Sequence, residues 1–376
     1  MKFRLIKADS YIVTAVLIQS LLVLVQQLMI SVFQIPEEST TVYRILMTAI
    51  PLSLAIIISF YRKWLMFISV YVIASMVLLY NVLVFPQNES FLQYDSLRFL
   101  LPVVIPSALC LMCVSRIETV EKVLYKISWI AVMLMLYYVW SLLSGKFVFI
   151  GYDMSLSYGL LLPTISLYSR KKWYSICAAF FLFIIIVVLG SRGAAFVFVL
   201  YLCYDIFQTN KQLIFPIIVI AGVCMLSLPL FLEWLEGYGL HSRTLELLLS
   251  NNINYSSGRD YLAEKISKVF WDSPITGIGL WGDRYILGTY CHNILLELYL
   301  NWGIIIATIL LLFFFYKLLY VYVHSDINNK NMLVKYFMGM VLPLMFSGSY
   351  LISYDFGAFL GILVLINKDN LNESKD

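Results

Sequence analysis

The chain has 376 residues, of which 61% are hydrophobic, 16% aromatic and 13% charged, with a formal net charge of +4 and a mean hydropathy of +0.87. A single soluble core cannot hide that much apolar surface, so a water-soluble globular enzyme is excluded and an all-α, polytopic membrane protein is expected. The small positive excess reads as a cytoplasmic loop bias and gives no sign of a nucleic-acid partner.

A membrane-crossing helix needs about 20 mainly apolar residues. Twelve candidate segments can be marked, at 12–33, 44–61, 64–85, 99–114, 127–144, 149–169, 173–190, 193–208, 213–232, 293–316, 333–349 and 353–366, the eighth and the last two of them short. A basic start followed by a long apolar run, with no small-residue cleavage site, predicts that the first span is retained rather than removed as a signal peptide. Lys2, Arg4 and Lys7, then Arg62-Lys63, Arg116, Lys122 and Lys126, Arg170-Lys171-Lys172, Lys211, Lys317, Lys330 and Lys335, and finally Lys368 and Lys375 fall on one side. Both termini are therefore expected in the cytoplasm. Arg44, Arg98, Lys146 and Arg192 lie in short opposite loops, and Arg243, Arg259, Lys265, Lys268 and Arg284 lie in one long outer segment that escapes the charge rule.

In chain order, the outer-face polar groups begin with Tyr94, Asp95 and Arg98 before the fourth span and continue with Tyr152 and Asp153 at the sixth. The turn Gly190-Ser191-Arg192-Gly193 follows. It needs its glycines but not its arginine, whose guanidinium either flanks the headgroups or meets a phosphate with paired hydrogen bonds. The large outer loop, 233–291, is predicted to hold helices around Ser242–Leu249 and Ser257–Phe270, then a Gly/Pro turn from Asp272 to Gly279. On its second helix Leu262, Ala263, Ile266, Val269 and Phe270 share an arc. Arg259 lies on that same arc, where a buried guanidinium needs an anionic partner.

The tenth span opens at Cys291-His292-Asn293. Asn293, Glu297 and Asn301 recur at i, i+4 and i+8, one face of an otherwise apolar helix. That stripe is either a helix–helix hydrogen-bond seam or a functional face, because ionisable groups at membrane depth line a bundle interior or a wet cavity. His292 is suited to act as a base near neutral pH or as an anion contact. Tyr354 and Asp355 enter the last span. The six cysteines are scattered, with no zinc-ligand or disulfide pattern, and no P-loop, dinucleotide fingerprint or HExxH motif is present. No cofactor or metal is expected.

Four pieces in this order, Ser191-Arg192-Gly193, Ser257-Gly258-Arg259-Asp260, Pro274 to Gly279, and His292-Asn293 followed by Gly303, resemble the O-antigen polymerase and O-antigen ligase family. The resemblance is carried by residues 190–310, and the first 180 residues add topology but no motif. It implies a glycosyltransferase of the bacterial cytoplasmic (inner) membrane that acts on saccharide repeat units carried by a polyprenyl pyrophosphate lipid. A chain-length regulator and a flippase are the implied protein partners. On this reading Arg192 and Arg259 stabilise the departing pyrophosphate, and Arg98, Asp153 and Asn293 contribute to substrate binding. His292 takes the proton of the attacking hydroxyl, with Glu297 as the supporting or alternative group. Ligase-type members tend to carry a small or hydroxyl residue three positions after the glycine, where this chain has Ile306. A polymerase is therefore expected ahead of a ligase of the same fold. A lipid-linked oligosaccharide flippase or other carrier is the rival from another class, and the internal repeats and long cytoplasmic link common in carriers are not evident.

Overall fold

In the computed structural model the backbone is described for residues 2–147, 153–209 and 259–373, and side chains for 7–147, 153–209 and 264–371. All regular structure among these residues is helical. The helices are α1 (Lys2–Ser31), α2 (Glu37–Val84), α3 (Glu89–Asp95), α4 (Ile105–Met112), α5 (Ile117–Leu143), α6 (Met154–Ser169), α7 (Trp173–Val188), α8 (Arg192–Thr209), α9 (Arg259–Asp272), α10 (Gly282–Leu287), α11 (Ile294–His324), α12 (Ile327–Tyr336) and α13 (Tyr354–Glu373). Among the described residues five stretches, Lys7–Ser31, Glu37–Val84, Pro86–Met112, Ile117–Leu143 and Ile294–His324, are long and apolar enough to cross a membrane. The chain is thus a helical, membrane-embedded protein.

Helix α2 runs for 48 residues, about 72 Å at 1.5 Å per residue, more than twice the hydrocarbon thickness. It is broken at Lys63 (φ −146°, ψ 52°), so the two spans expected on either side of Arg62-Lys63 form one run with a kink at the predicted boundary. The expected span at 333–349 takes a different form. Helix α12 stops at Tyr336, a π-helical turn covers Phe337–Val341, and a 3-10 turn covers Leu342–Met345. Pro343 has no N–H to continue an α-helical ladder. The expected span 213–232, the expected helix at 242–249 and residues 149–152 of the sixth span lie outside the described residues.

The chain divides into two units. The first comprises Met1–Val16, Pro51–Val120 and Ser256–Asp376; the second comprises Leu17–Ile50 and Glu121–Tyr255. In the first, Gly357 and Gly361 of α13 form a small-residue step, and a Cβ there would come within 2.2 Å of the Val104 oxygen and 2.6 Å of the Ala108 oxygen. Such closeness is how helices associate where lipid removes most of the hydrophobic drive. At one end of this unit, Arg62 pairs with Asp9 and donates to the Cys113 oxygen at 3.1 Å. There Asp9 also accepts from the Ser115 amide at 3.0 Å, and Asp369 accepts from the Ile117 amide at 2.9 Å. Loops that the charge pattern assigns to the side of the termini therefore touch one another.

In the second unit α6, α7 and α8 pack together. Arg170 pairs with Glu121 at 3.5 Å, and Lys171 pairs with Asp205.

Candidate functional site

The site lies in the first unit and begins with a broken helix. Gly303, within α11, has φ 68° and ψ 176°, which interrupts the helical ladder between Leu300 and Ile304. Both ends of the lost bond find partners in the Pro274–Gly279 turn: Ile278 N–H donates to the Leu300 oxygen and Ile304 N–H donates to the Pro274 oxygen, each at 2.7 Å. Non-helical backbone at membrane depth persists only where its polar groups are satisfied by protein in this way. The approach demands glycine on both sides. A Cβ on Gly277 would come 2.5 Å from the Leu300 oxygen, and one on Gly303 would come 2.0 Å from the Ile275 oxygen.

Two buried asparagines pin the same turn. Asn81 of α2 accepts from the Leu280 amide at 2.7 Å. Asn88 donates to the Ile278 and Leu280 oxygens at 2.8 and 3.2 Å. Trp281 follows, fully buried, and packs with Leu92, Leu280, Leu351, Trp302 and Tyr350. Helix α9 lays Ile266, Val269 and Phe270 against Cys291, Leu300 and Ile278, three residues of the arc predicted from its periodicity; the side chains of Leu262 and Ala263 lie outside the described residues.

With the turn fixed, α10 points Asp283 and Arg284 inward, 0% and 5% exposed. Arg284 uses every nitrogen of its guanidinium. Nε meets Asp95 at 3.1 Å, Nη1 meets Asp283 at 2.9 Å and Glu297 at 3.1 Å, and Nη2 donates to Ser349 at 2.9 Å. Ser349 Oγ donates in turn to Glu297 Oε1 at 2.5 Å, and Tyr350 N–H donates to Glu297 Oε2 at 3.2 Å. Burial pulls the Arg284 pKa down, but Asp283, Glu297 and Asp95 more than offset it and leave it raised. The guanidinium is therefore a permanent cation already claimed by three carboxylates.

The network continues to the rim. Asp283 Oδ2 accepts from the Cys291 amide at 3.3 Å and from its thiol at 3.5 Å. Burial, then Asp283 and Glu297, raise the pKa of that thiol far above the usual range. The next residue, His292, has φ 57°, the left-handed region that a side chain other than glycine enters at a cost of about 1–2 kcal/mol. His292 is half-buried, with its ring centroid 4.3 Å from that of Tyr290. Asn293 then caps α11, accepting from the Leu295 and Leu296 amides at 2.9 and 3.2 Å while its Nδ2 donates to the Met345 oxygen at 3.0 Å. His292 is thus held between two anchored neighbours.

His292, Asn293 and Glu297 therefore belong to one construction, and Glu297, 0% exposed, lies beneath its surface. Asn301 of the same stripe donates to the Tyr350 hydroxyl at 3.0 Å. Arg98 lies one turn beyond Asp95, bonded to the Tyr94 hydroxyl, with its guanidinium 5.3 Å from the centroids of Tyr94 and Phe99. Arg259 opens α9, and its side chain lies outside the described residues. In the second unit Asp153 caps α6, accepting from the Leu156 amide at 2.8 Å. Its own amide donates to the Leu189 oxygen at 3.0 Å, beside the turn from which exposed Arg192 starts α8.

Four members of the cluster went unread from the sequence as site residues: Asp95, which reads there only as an outer-face polar group, Asp283, Arg284 and Ser349. The signal available was that Glu297, one turn inside an apolar helix, requires a cation, and the nearest arginine before it in the chain is Arg284. No protein-family model, no curated protein and no solved structure matches this chain.

Proposed function

We propose that the protein is a polysaccharide polymerase, a membrane glycosyltransferase that joins repeat units carried on polyprenyl pyrophosphate at the outer face of the bacterial cytoplasmic membrane. The observation that supports this reading most is the clamped left-handed conformation of His292. Strain of this kind is maintained where surrounding structure over-determines it, and it clusters at functional sites. Here the Arg284 cluster fixes the residue before His292 and the Asn293 cap fixes the residue after it.

In the proposed reaction, an acceptor sugar hydroxyl attacks the anomeric carbon of the donor unit. Its proton passes to the His292 imidazole as the new glycosidic C–O bond forms. The bond from the anomeric carbon to the pyrophosphate oxygen breaks, and polyprenyl pyrophosphate leaves. Within the first unit Arg259 is assigned to the developing negative charge, with Arg98 and Asn293 in supporting contacts to the substrate. Arg284 is not assigned to the pyrophosphate, because its nitrogens are engaged by Asp95, Asp283, Glu297 and Ser349. Glu297 acts through Arg284 as a positioning residue.

The test is purified full-length protein mixed with a synthetic polyprenyl-pyrophosphate-linked repeat unit. Multimers are expected together with one free polyprenyl pyrophosphate for each glycosidic bond formed. His292→Ala is expected to lower the rate by about 10²–10⁴-fold, the range for losing a general base. Wild-type protein that forms no multimers, or a His292→Ala variant at full rate, would overturn the assignment.

A further inference from the structure

An apolar groove of about 700 Å³ runs alongside α11 in the first unit, well within the range of small-molecule sites. Its walls include Leu298, Leu311 and Phe314 of α11, Val341 from the π-helical turn, and Phe356 and Leu360 of α13. Polar character at the end away from the ionic cluster is confined to Lys317 and Asn367. Lys317 is exposed, and its ammonium lies 5.6 Å from the Phe313 ring centroid and 5.9 Å from that of Tyr316. It forms no ion pair with a described residue. Asn367 lies two residues before Asp369, at the end of the unit where Asp9 and Arg62 meet.

We propose that this groove is a binding site for an anionic phospholipid, its hydrocarbon chain along α11 and its phosphate at Lys317 and Asn367. Charge complementarity fixes the direction. At the opposite end the lining is Ile294, Leu295, Leu298 and Trp302 with no cation, so an anionic headgroup finds no counter-charge there. At Lys317 an ammonium and an amide offer donors beside an apolar wall, the arrangement by which basic pockets between membrane helices hold anionic headgroups. This lipid is separate from the saccharide carrier of the proposed reaction, and the inference does not depend on that reaction.

Full-length protein in mild detergent is incubated with phosphatidylglycerol or phosphatidylcholine of identical acyl chains, and retained lipid is read by native mass spectrometry. One phosphatidylglycerol per protein is expected, at least tenfold preferred over phosphatidylcholine. Lys317→Gln, at an exposed position, is expected to bind both lipids equally, and Leu298→Trp to retain neither. If Leu298→Trp does not fold, Asn367→Leu replaces it and is expected to weaken the preference several-fold. Equal retention by wild type, a preference that survives Lys317→Gln, or displacement of the phospholipid by polyprenyl phosphate in Lys317→Gln as readily as in wild type would overturn the proposal.

Discussion

Removing Arg284 strands the fully buried Asp283 and Glu297 and the half-buried Asp95, whereas Glu297→Gln removes one charge and keeps one acceptor oxygen, for Ser349 or for the Tyr350 amide but not both. Breaking a buried ionic set by deleting one partner costs about 3–5 kcal/mol. Arg284→Met is therefore expected to be the more destabilising change, with Glu297→Gln costing about 1–3 kcal/mol, in thermal unfolding of detergent-purified protein. The reverse order would mean that Arg284 is not the centre of the cluster. Cys291 supplies a pH test. Its thiol pKa is raised in the folded protein, so the native state holds that proton more tightly than the unfolded chain does. The resulting stability is fully present below the unfolded thiol pKa of about 8.5 and is lost as pH rises beyond it. Unfolding midpoints between pH 7.5 and 10 are expected to fall more steeply for wild type than for Cys291→Ser, and parallel curves would contradict the burial of this thiol against Asp283. His292, Asn293 and Glu297 were legible because polar residues stand out in an apolar helix. Asp283-Arg284 was not, because adjacent opposite charges in a polar loop read equally well as solvated.

Among the elements, the docking of the Pro274–Gly279 turn on the α11 break determines the rest of the site. The sequence shows both glycine positions, but it does not show that the two segments exchange hydrogen bonds, since that requires knowing which backbone groups the break releases. Gly277→Ala and Gly303→Ala both obstruct the same approach, so each is expected to abolish polymer formation. Their combined effect on stability is expected to fall well short of the sum, as for residues sharing one contact. Gly145 makes a control: it also has positive φ, 68°, but a Cβ there meets nothing within 4 Å, so Gly145→Ala is expected to cost only the backbone strain of about 1–2 kcal/mol. Unfolding midpoints of the four variants check this, and additive losses at 277 and 303 would separate the two glycines. Hydropathy located α2 and its break because Arg62-Lys63 interrupts an apolar run. It could not resolve the 333–349 segment, where π and 3-10 turns leave an apolar composition unchanged while altering the backbone.

For the whole molecule, composition and the length of its apolar runs point to a helical membrane protein, because a run of about 20 apolar residues satisfies its backbone groups within itself only as a helix. Pro274 to Gly279, His292-Asn293 and Gly303 lie close together in one unit, and the cluster of Asp95, Asp283, Arg284 and Glu297 holds the loop between them. The proposed function rests on that convergence and on the strain at His292. The most direct measurement is the size profile of surface polysaccharide and its lipid-linked intermediates in a strain lacking this protein, complemented with wild type or with His292→Ala at equal membrane levels. Single repeat units at the surface without long chains, restored by wild type and not by His292→Ala, are predicted. Long chains stranded on the lipid carrier would indicate a ligase, single units trapped at the cytoplasmic face would indicate a flippase, and an unchanged profile would contradict the polysaccharide assignment altogether.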